Sequence, residues 1–244
     1  MIAIQTRELT KKYGIKTAVD SLNLSINQGE LFGLLGVNGA GKTTTIKMLS
    51  CLTRPTSGDA TILGHSVLKG TNKVKEVTNV SPQETAVAPN LTVRENIEMI
   101  AGIYGMNSAT ADEKTVEIMK TMDLTKIQDN KAKTLSGGWQ RRLSISMALV
   151  SGPQILFLDE LTLSLDVLAR RELWSTITSL KGKVTVILTT HYMEEAEALS
   201  DRVGIMTHGQ LKVVGTPTEL ITLSGKNSFE EAFIKFAAPE EVLL

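Results

Sequence analysis

The chain has 244 residues, with 26 lysines and arginines against 26 aspartates and glutamates. That length can bury a substantial core as one α/β domain or two small ones, and the balanced charge supplies no positive field to hold a nucleic-acid backbone or an anionic lipid surface. No nucleic-acid partner is therefore expected, and the single cysteine, Cys51, excludes a disulfide framework and fits a reducing cytoplasm as a small core residue.

The start, MIAIQTRELTKKYG, lacks a basic segment leading into an apolar one, and no run reaches the roughly 18 apolar residues of a membrane helix. Neither export nor insertion is expected, so a role at a membrane must come through a partner. Residues 2–35 alternate apolar and polar types between turn signals at Tyr13-Gly14 and Gln28-Gly29, which predicts antiparallel strands ending in the denser run LFGLLG.

Residues 36–43, GVNGAGKT, follow that strand and precede the helical stretch TTTIKMLS, matching the pattern G-x-x-x-x-G-K-[ST] in the context it requires. Gly36, Gly39 and Gly41 let backbone N–H groups curl around an anion, and the helix N-terminus adds partial positive charge. Lys42 reaches the outer phosphates of a nucleotide, Thr43 offers its hydroxyl to Mg²⁺, and Asn38 and Thr44 belong to the same binding loop. The alternative, a glycine-rich turn before an ordinary helix, is disfavoured by the strand, loop and helix standing in order.

Thr92 followed by Glu95 predicts a capping box, with Val93, Ile97 and Ile100 on one helical stripe. A second helix is predicted over 111–122 and a third from about Gly138 to the Gly152-Pro153 break. Residues 85–152 thus read as a helical insertion into an α/β core of residues 1–84 and 153–244. Within it, Ser136, Gly137 and Gly138 at a helix start are either a second anion-binding N-terminus or a flexible turn between helices.

QILFLDE and VTVILTTH, at 154–160 and 184–191, are continuous apolar runs of the kind covered by helices on both faces, which predicts a parallel sheet. Asp159, Glu160 and His191 follow these strands at the end where open α/β sheets bind ligands. Adjacent carboxylates there can divide two tasks, one beside Mg²⁺ and one at an attacking water, and His191 can bond a γ-phosphate or that water. Asp166 is a predicted N-cap for a helix with Ala169, Leu173, Ile177 and Leu180 on one face, stopping at Gly182. Residues 204–215 read as a hairpin turning at His208-Gly209.

With the phosphate loop, LSGGWQ, ILFLDE and His191 in this order, the chain resembles the nucleotide-binding domain of ATP-binding cassette (ABC) ATPases over almost its whole length. The resemblance implies a P-loop NTPase core of α/β class with a mixed, largely parallel sheet, an N-terminal antiparallel β subdomain and an inserted α-helical subdomain. It implies that Tyr13 stacks on adenine, and that Gln83 in VSPQE links Mg²⁺ and the attacking water to the insertion where a membrane partner docks. Asp159 then matches the Mg²⁺-associated aspartate, Glu160 the catalytic base and His191 the switch histidine. Two such domains pair head to tail, so Ser136, Gly137 and Gly138 of one would meet the γ-phosphate held by Lys42 of the other, and Asp166 would cross the interface.

LSGGWQRRLSISMAL and LSLDVLARRELW are similar to the separately encoded ATPases of ABC-2 type exporters. This implies a cytoplasmic subunit, peripheral on the inner face of the cell membrane, that hydrolyses MgATP to energise a transmembrane permease. A soluble ABC scaffold or regulator without a transport partner is the alternative. Two positions depart from the family pattern. Leu161 stands where proline usually follows the base, which implies a looser loop and one more backbone donor, and Ser164 stands where glycine is usual.

Overall fold

The computed structural model describes residues 1–163 and 165–238; Ser164 lies outside them. The chain opens with strands β1 (Ile2–Tyr13), β2 (Lys16–Leu22), β3 (Ser25–Asn27) and β4 (Leu31–Leu35), then helix α1 (Lys42–Leu49), strands β5 (Ser57–Ile62) and β6 (His65–Ser66), helix α2 (Thr71–Val77) and strand β7 (Thr78–Ser81). Three helices follow, α3 (Val93–Ile103), α4 (Ser108–Thr121) and α5 (Gly137–Leu149). The rest is β8 (Ile155–Leu158), α6 (Val167–Thr178), β9 (Thr185–Thr190), α7 (Met193–Leu199), β10 (Arg202–Thr207), β11 (Gln210–Gly215), α8 (Pro217–Ser224) and α9 (Phe229–Ala237).

Two sheets result. β1 pairs antiparallel with β2, β3 and β5, and β6 pairs with β5, giving the expected N-terminal antiparallel sheet. The second has the order β11-β10-β4-β9-β8-β7, parallel throughout except for the antiparallel edge strand β11. β4, β8 and β9 are buried along their whole lengths, and their alternating side chains feed opposite faces. Leu156, Leu158, Val186 and Leu188 join a core with α3, α4, α5 and α6, whereas Ile155, Phe157, Ile187, Phe32 and Leu34 join another with α1 and the antiparallel sheet. This two-sided burial is why the strands carry unbroken apolar runs rather than alternation. Leu35, Val203 and Ile205 anchor a smaller core under α7, α8 and α9.

Local signals set the helix starts. Thr92 accepts from the Glu95 N–H at 3.1 Å while Glu95 accepts from the Thr92 N–H at 2.7 Å, so the capping box forms, and Val93 and Ile97 are fully buried beneath it. α4 begins at Ser108, ahead of the expected 111, because the Asn107 side chain accepts from the Thr110 N–H at 2.9 Å and caps an additional turn. The Asp166 carboxylate caps α6 through the Ala169 N–H at 2.9 Å, and Leu173 and Ile177 are buried on the expected face. β10 and β11 form the expected hairpin, with His208 and Gly209 both at positive φ, 49° and 81°.

Candidate functional site

Four neighbouring strands of the parallel sheet, in the order β4-β9-β8-β7, run in one direction and end side by side. Each delivers a loop to the same edge: the Gly36–Gly41 loop from β4, His191 from β9, Asp159 and Glu160 from β8, and Gln83 just beyond β7. Topology alone therefore gathers residues that lie far apart in sequence. All of these except Asp159 and the first two residues of the loop border one cleft of about 530 Å³, lined by Tyr13, Asn38, Gly39, Gly41, Lys42, Thr43, Thr44, Gln83, Glu160 and His191 together with Lys16, Ala18, Ala40 and Leu163; Gly36 and Asp159 are buried and do not line it.

The loop leaving β4 is tightly constrained. A β-carbon on Gly36 would collide with the Met206 carbonyl of β10, and Gly41 opens α1 at a φ of 106°, a conformation L side chains rarely adopt. The Gly209 N–H of the β10–β11 turn donates to the Ala40 carbonyl at 3.0 Å and holds the loop from outside. The Lys42 ammonium donates to the carbonyls of Gly36 at 2.7 Å and Val37 at 3.2 Å and stands 3.2 Å from Glu160 Oε1. Buried with so little water around it, that charge is strongly felt across the cleft.

Around β8 and β9 the polar groups interlock. Asp159 Oδ1 accepts from the Thr43 hydroxyl at 3.0 Å and from the Thr189 hydroxyl at 2.6 Å, and the Thr189 oxygen accepts from the Glu160 N–H at 3.0 Å. Glu160 Oε2 lies 2.7 Å from His191 Nδ1, so its carboxylate spans the imidazole on one side and Lys42 on the other. Thr43 and Asp159 thus present adjacent hydroxyl and carboxylate oxygens, the hard donors that suit Mg²⁺ held mainly by nucleotide phosphates. Tyr13, at the end of β1, is 49% exposed and lines the cleft, with the Lys11 ammonium over its ring at 5.0 Å from the centroid.

Ser136, Gly137, Gly138 and Asp166 are not part of this cleft. Ser136 and Gly137 are exposed at the start of α5, and the Ser136 side chain makes no capping bond to its own helix. Beneath them α5 meets α6 closely, for a β-carbon on Gly138 would stand 3.0 Å from that of Ala169. Asp166 caps α6 and is itself exposed. The starts of α5 and α6 are therefore neighbours, with Ser136, Gly137 and Asp166 exposed.

Two residues escaped the sequence reading. Thr189 lies inside an apolar strand, and the polar pair in ILTTH, immediately before His191, was the only signal. Arg141 reads as one charge in the solvated-looking run QRR, yet it is buried against the loops after β7 and β8. Leu161 also behaves differently from expectation. Its side chain is fully buried in the helical core and its carbonyl accepts from Arg141 Nε at 2.9 Å, so packing and a hydrogen bond restrain the loop that proline would otherwise stiffen.

A phosphate-binding loop between strand and helix, with a hydroxyl, two carboxylates and an imidazole at the adjoining strand ends, defines a nucleoside-triphosphate-hydrolysing site on a P-loop fold. The family model of the ABC transporter matches residues 19–163. The chain therefore belongs to the ABC transporter family as an ATP-binding protein and ATP hydrolase. It is 40% identical over 223 residues to the linearmycin resistance ATP-binding protein LnrL of Bacillus subtilis (strain 168), covering 91% of this chain and 72% of that one. It is also 40% identical over 226 residues to the daunorubicin/doxorubicin resistance ATP-binding protein DrrA of Streptomyces peucetius, covering 92% and 68%. A solved structure described as the ATP binding subunit of an ABC transporter superposes with a TM-score of 0.83 at 25% identity, covering 96% of this chain and 99% of that one.

Proposed function

We propose that this chain is the ATPase subunit of an ABC exporter of the ABC-2 type, energising a separate transmembrane permease through cycles of MgATP binding and hydrolysis. The observation that carries the proposal is the Glu160 carboxylate held between His191 at 2.7 Å and Lys42 at 3.2 Å, directly beside the phosphate loop. The names of LnrL and DrrA, a linearmycin resistance and a daunorubicin/doxorubicin resistance ATP-binding protein, support an export role. Among the described residues no helix is long and apolar enough to cross a membrane. Under this proposal the chain acts on the cytoplasmic face through its permease.

In this reading the loop N–H groups and Lys42 cradle the β and γ phosphates and Tyr13 stacks on adenine. Thr43 and Asp159, with Gln83 nearby, would hold Mg²⁺, which neutralises phosphate charge. Glu160 orients the attacking water and accepts its proton as the oxygen bonds to the γ-phosphorus and the bond to ADP breaks. His191 bonds the γ-phosphate or the water and steadies Glu160. Ser136, Gly137 and Gly138 of a second copy close over the γ-phosphate from the opposite side, with Asp166 crossing the interface, so ATP joins two copies and its hydrolysis releases them. Residues 85–152 serve as the arm that meets the permease, on an ATP-binding core of residues 1–84 and 153–244.

The test is to recover tagged Glu160→Gln protein from detergent-solubilised membranes of the native cell in the presence of MgATP. A polytopic membrane protein recovered with it supports the exporter reading. Recovery of soluble proteins alone, with ATP-driven pairing intact, would leave an ABC ATPase that serves a scaffold or regulatory role.

A further inference from the structure

Arg141, in the second turn of α5, is only 4% exposed. Its Nη2 donates to the Asp159 carbonyl at 2.8 Å, its Nε donates to the Leu161 carbonyl at 2.9 Å, and its Nη1 donates to the Pro82 carbonyl. Asp159 and Leu161 are the two neighbours of Glu160, and Pro82 is the residue before Gln83. Glu160 has a φ of 49°, in the left-handed region that a residue with a β-carbon keeps only when its surroundings hold it there. One side chain therefore holds the carbonyls on both sides of a strained residue and the loop that carries Gln83.

We infer that Arg141 is a positioning residue for hydrolysis: its guanidinium fixes the backbone on either side of Glu160 and ties it to the Gln83 loop, keeping the carboxylate between His191 and Lys42. The inference rests on the reading of Glu160 as the base. A guanidinium suits the task because its planar fork offers donors in several fixed directions at once, whereas an ammonium on a flexible stem is a point charge that cannot match three separate carbonyls. A guanidinium keeps its charge and all its donors at neutral pH even when buried, so the fork stays intact. The same helix begins at Ser136, Gly137 and Gly138, so α5 connects the surface offered to a second copy with the chain's own Glu160.

Four full-length proteins test this: wild type, Arg141→Lys, Glu160→Gln and the double variant, each assayed for MgATP turnover, KM, nucleotide affinity and thermal midpoint, with turnover read well below the lowest midpoint. Arg141→Lys should lower kcat on the order of tenfold or more while KM and affinity stay within about twofold, because the phosphate loop is untouched. In the Glu160→Gln background the same change should add less than about twofold, because the group being positioned has already lost its role. A purely structural arginine would instead multiply its loss into both backgrounds. Arg141→Lys with wild-type kcat, or with a loss that multiplies in full, overturns the inference while leaving a slow Glu160→Gln enzyme intact. Wild-type turnover by Glu160→Gln would overturn the base assignment itself, and with it the role drawn for Arg141. Arg141→Gln supplies the same comparison if the lysine variant does not fold.

Discussion

Removing one hydroxyl from β9 should weaken two groups of the site together. Thr189 is fully buried, donates to Asp159 Oδ1 at 2.6 Å and accepts from the Glu160 N–H at 3.0 Å. Thr189→Val keeps the branched shape but leaves the Glu160 N–H buried without that acceptor and Asp159 with one donor fewer. An orphaned buried N–H costs about 1–3 kcal/mol and a lost hydrogen bond to a charged group about 1.5–3 kcal/mol. The Thr43 hydroxyl still reaches Asp159 at 3.0 Å, so the low end of the second range applies. The sum is about 3 kcal/mol, which for a chain of this size lowers the thermal midpoint by about 6–12 °C. Thr189→Ser retains the hydroxyl and loses one methyl, worth about 0.8 kcal/mol and therefore about 2–3 °C. Thermal unfolding of the three proteins side by side decides the matter. A valine variant within about 2 °C of wild type, or a serine variant that falls as far as valine, refutes the relay through Thr189.

Gly36→Ala should abolish ATP binding measured by titration calorimetry, because the added methyl meets the Met206 carbonyl and the phosphate loop must move; unchanged affinity would contradict the fit drawn for that loop. Glu195 is fully buried, and burial pushes its carboxyl above the ordinary carboxylate value, with hydrogen bonds including that from the Trp174 indole opposing. A raised carboxyl pKa contributes stability that is full below the unfolded-state value and is lost as pH rises through the folded-state value. The wild-type thermal midpoint should therefore decline relative to Glu195→Gln as pH is raised from about 4 to about 8, and parallel curves for the two proteins would refute the assignment. Thr92→Ala should cost about 1 kcal/mol, or about 2–4 °C, by removing one arm of the capping box, while Thr92→Ser should be nearly neutral.

What the sequence reveals and what it conceals follow from the range of the interactions involved. The parallel strands were legible because burial on both faces leaves unbroken apolar runs, and the α3 and α6 starts were legible because Thr92 and Asp166 act within their own turns. β7 was not, since TNVS is short and polar in type and becomes a strand only by pairing with β8. The start of α4 was set by Asn107, a cap that an apolar periodicity does not register. The phosphate loop, Asp159, Glu160 and His191 were visible from motif and strand end together, and the sheet order then explains why they meet. Arg141 and Thr189 were hidden because their roles depend on carbonyls and amides supplied by other elements, which no local pattern encodes. Leu161 shows the same limit, for its missing proline is offset by burial and by a helix distant in sequence.

The most direct measurement is steady-state MgATP hydrolysis by purified wild-type and Glu160→Gln proteins, with sedimentation of each in MgATP. The wild type should turn over, and the variant should lose on the order of 100-fold or more in kcat while still binding ATP and sedimenting as a stable dimer. Hydrolysis by Glu160→Gln at the wild-type rate would contradict the account, because the carboxylate between His191 and Lys42 could then not be the group that activates water.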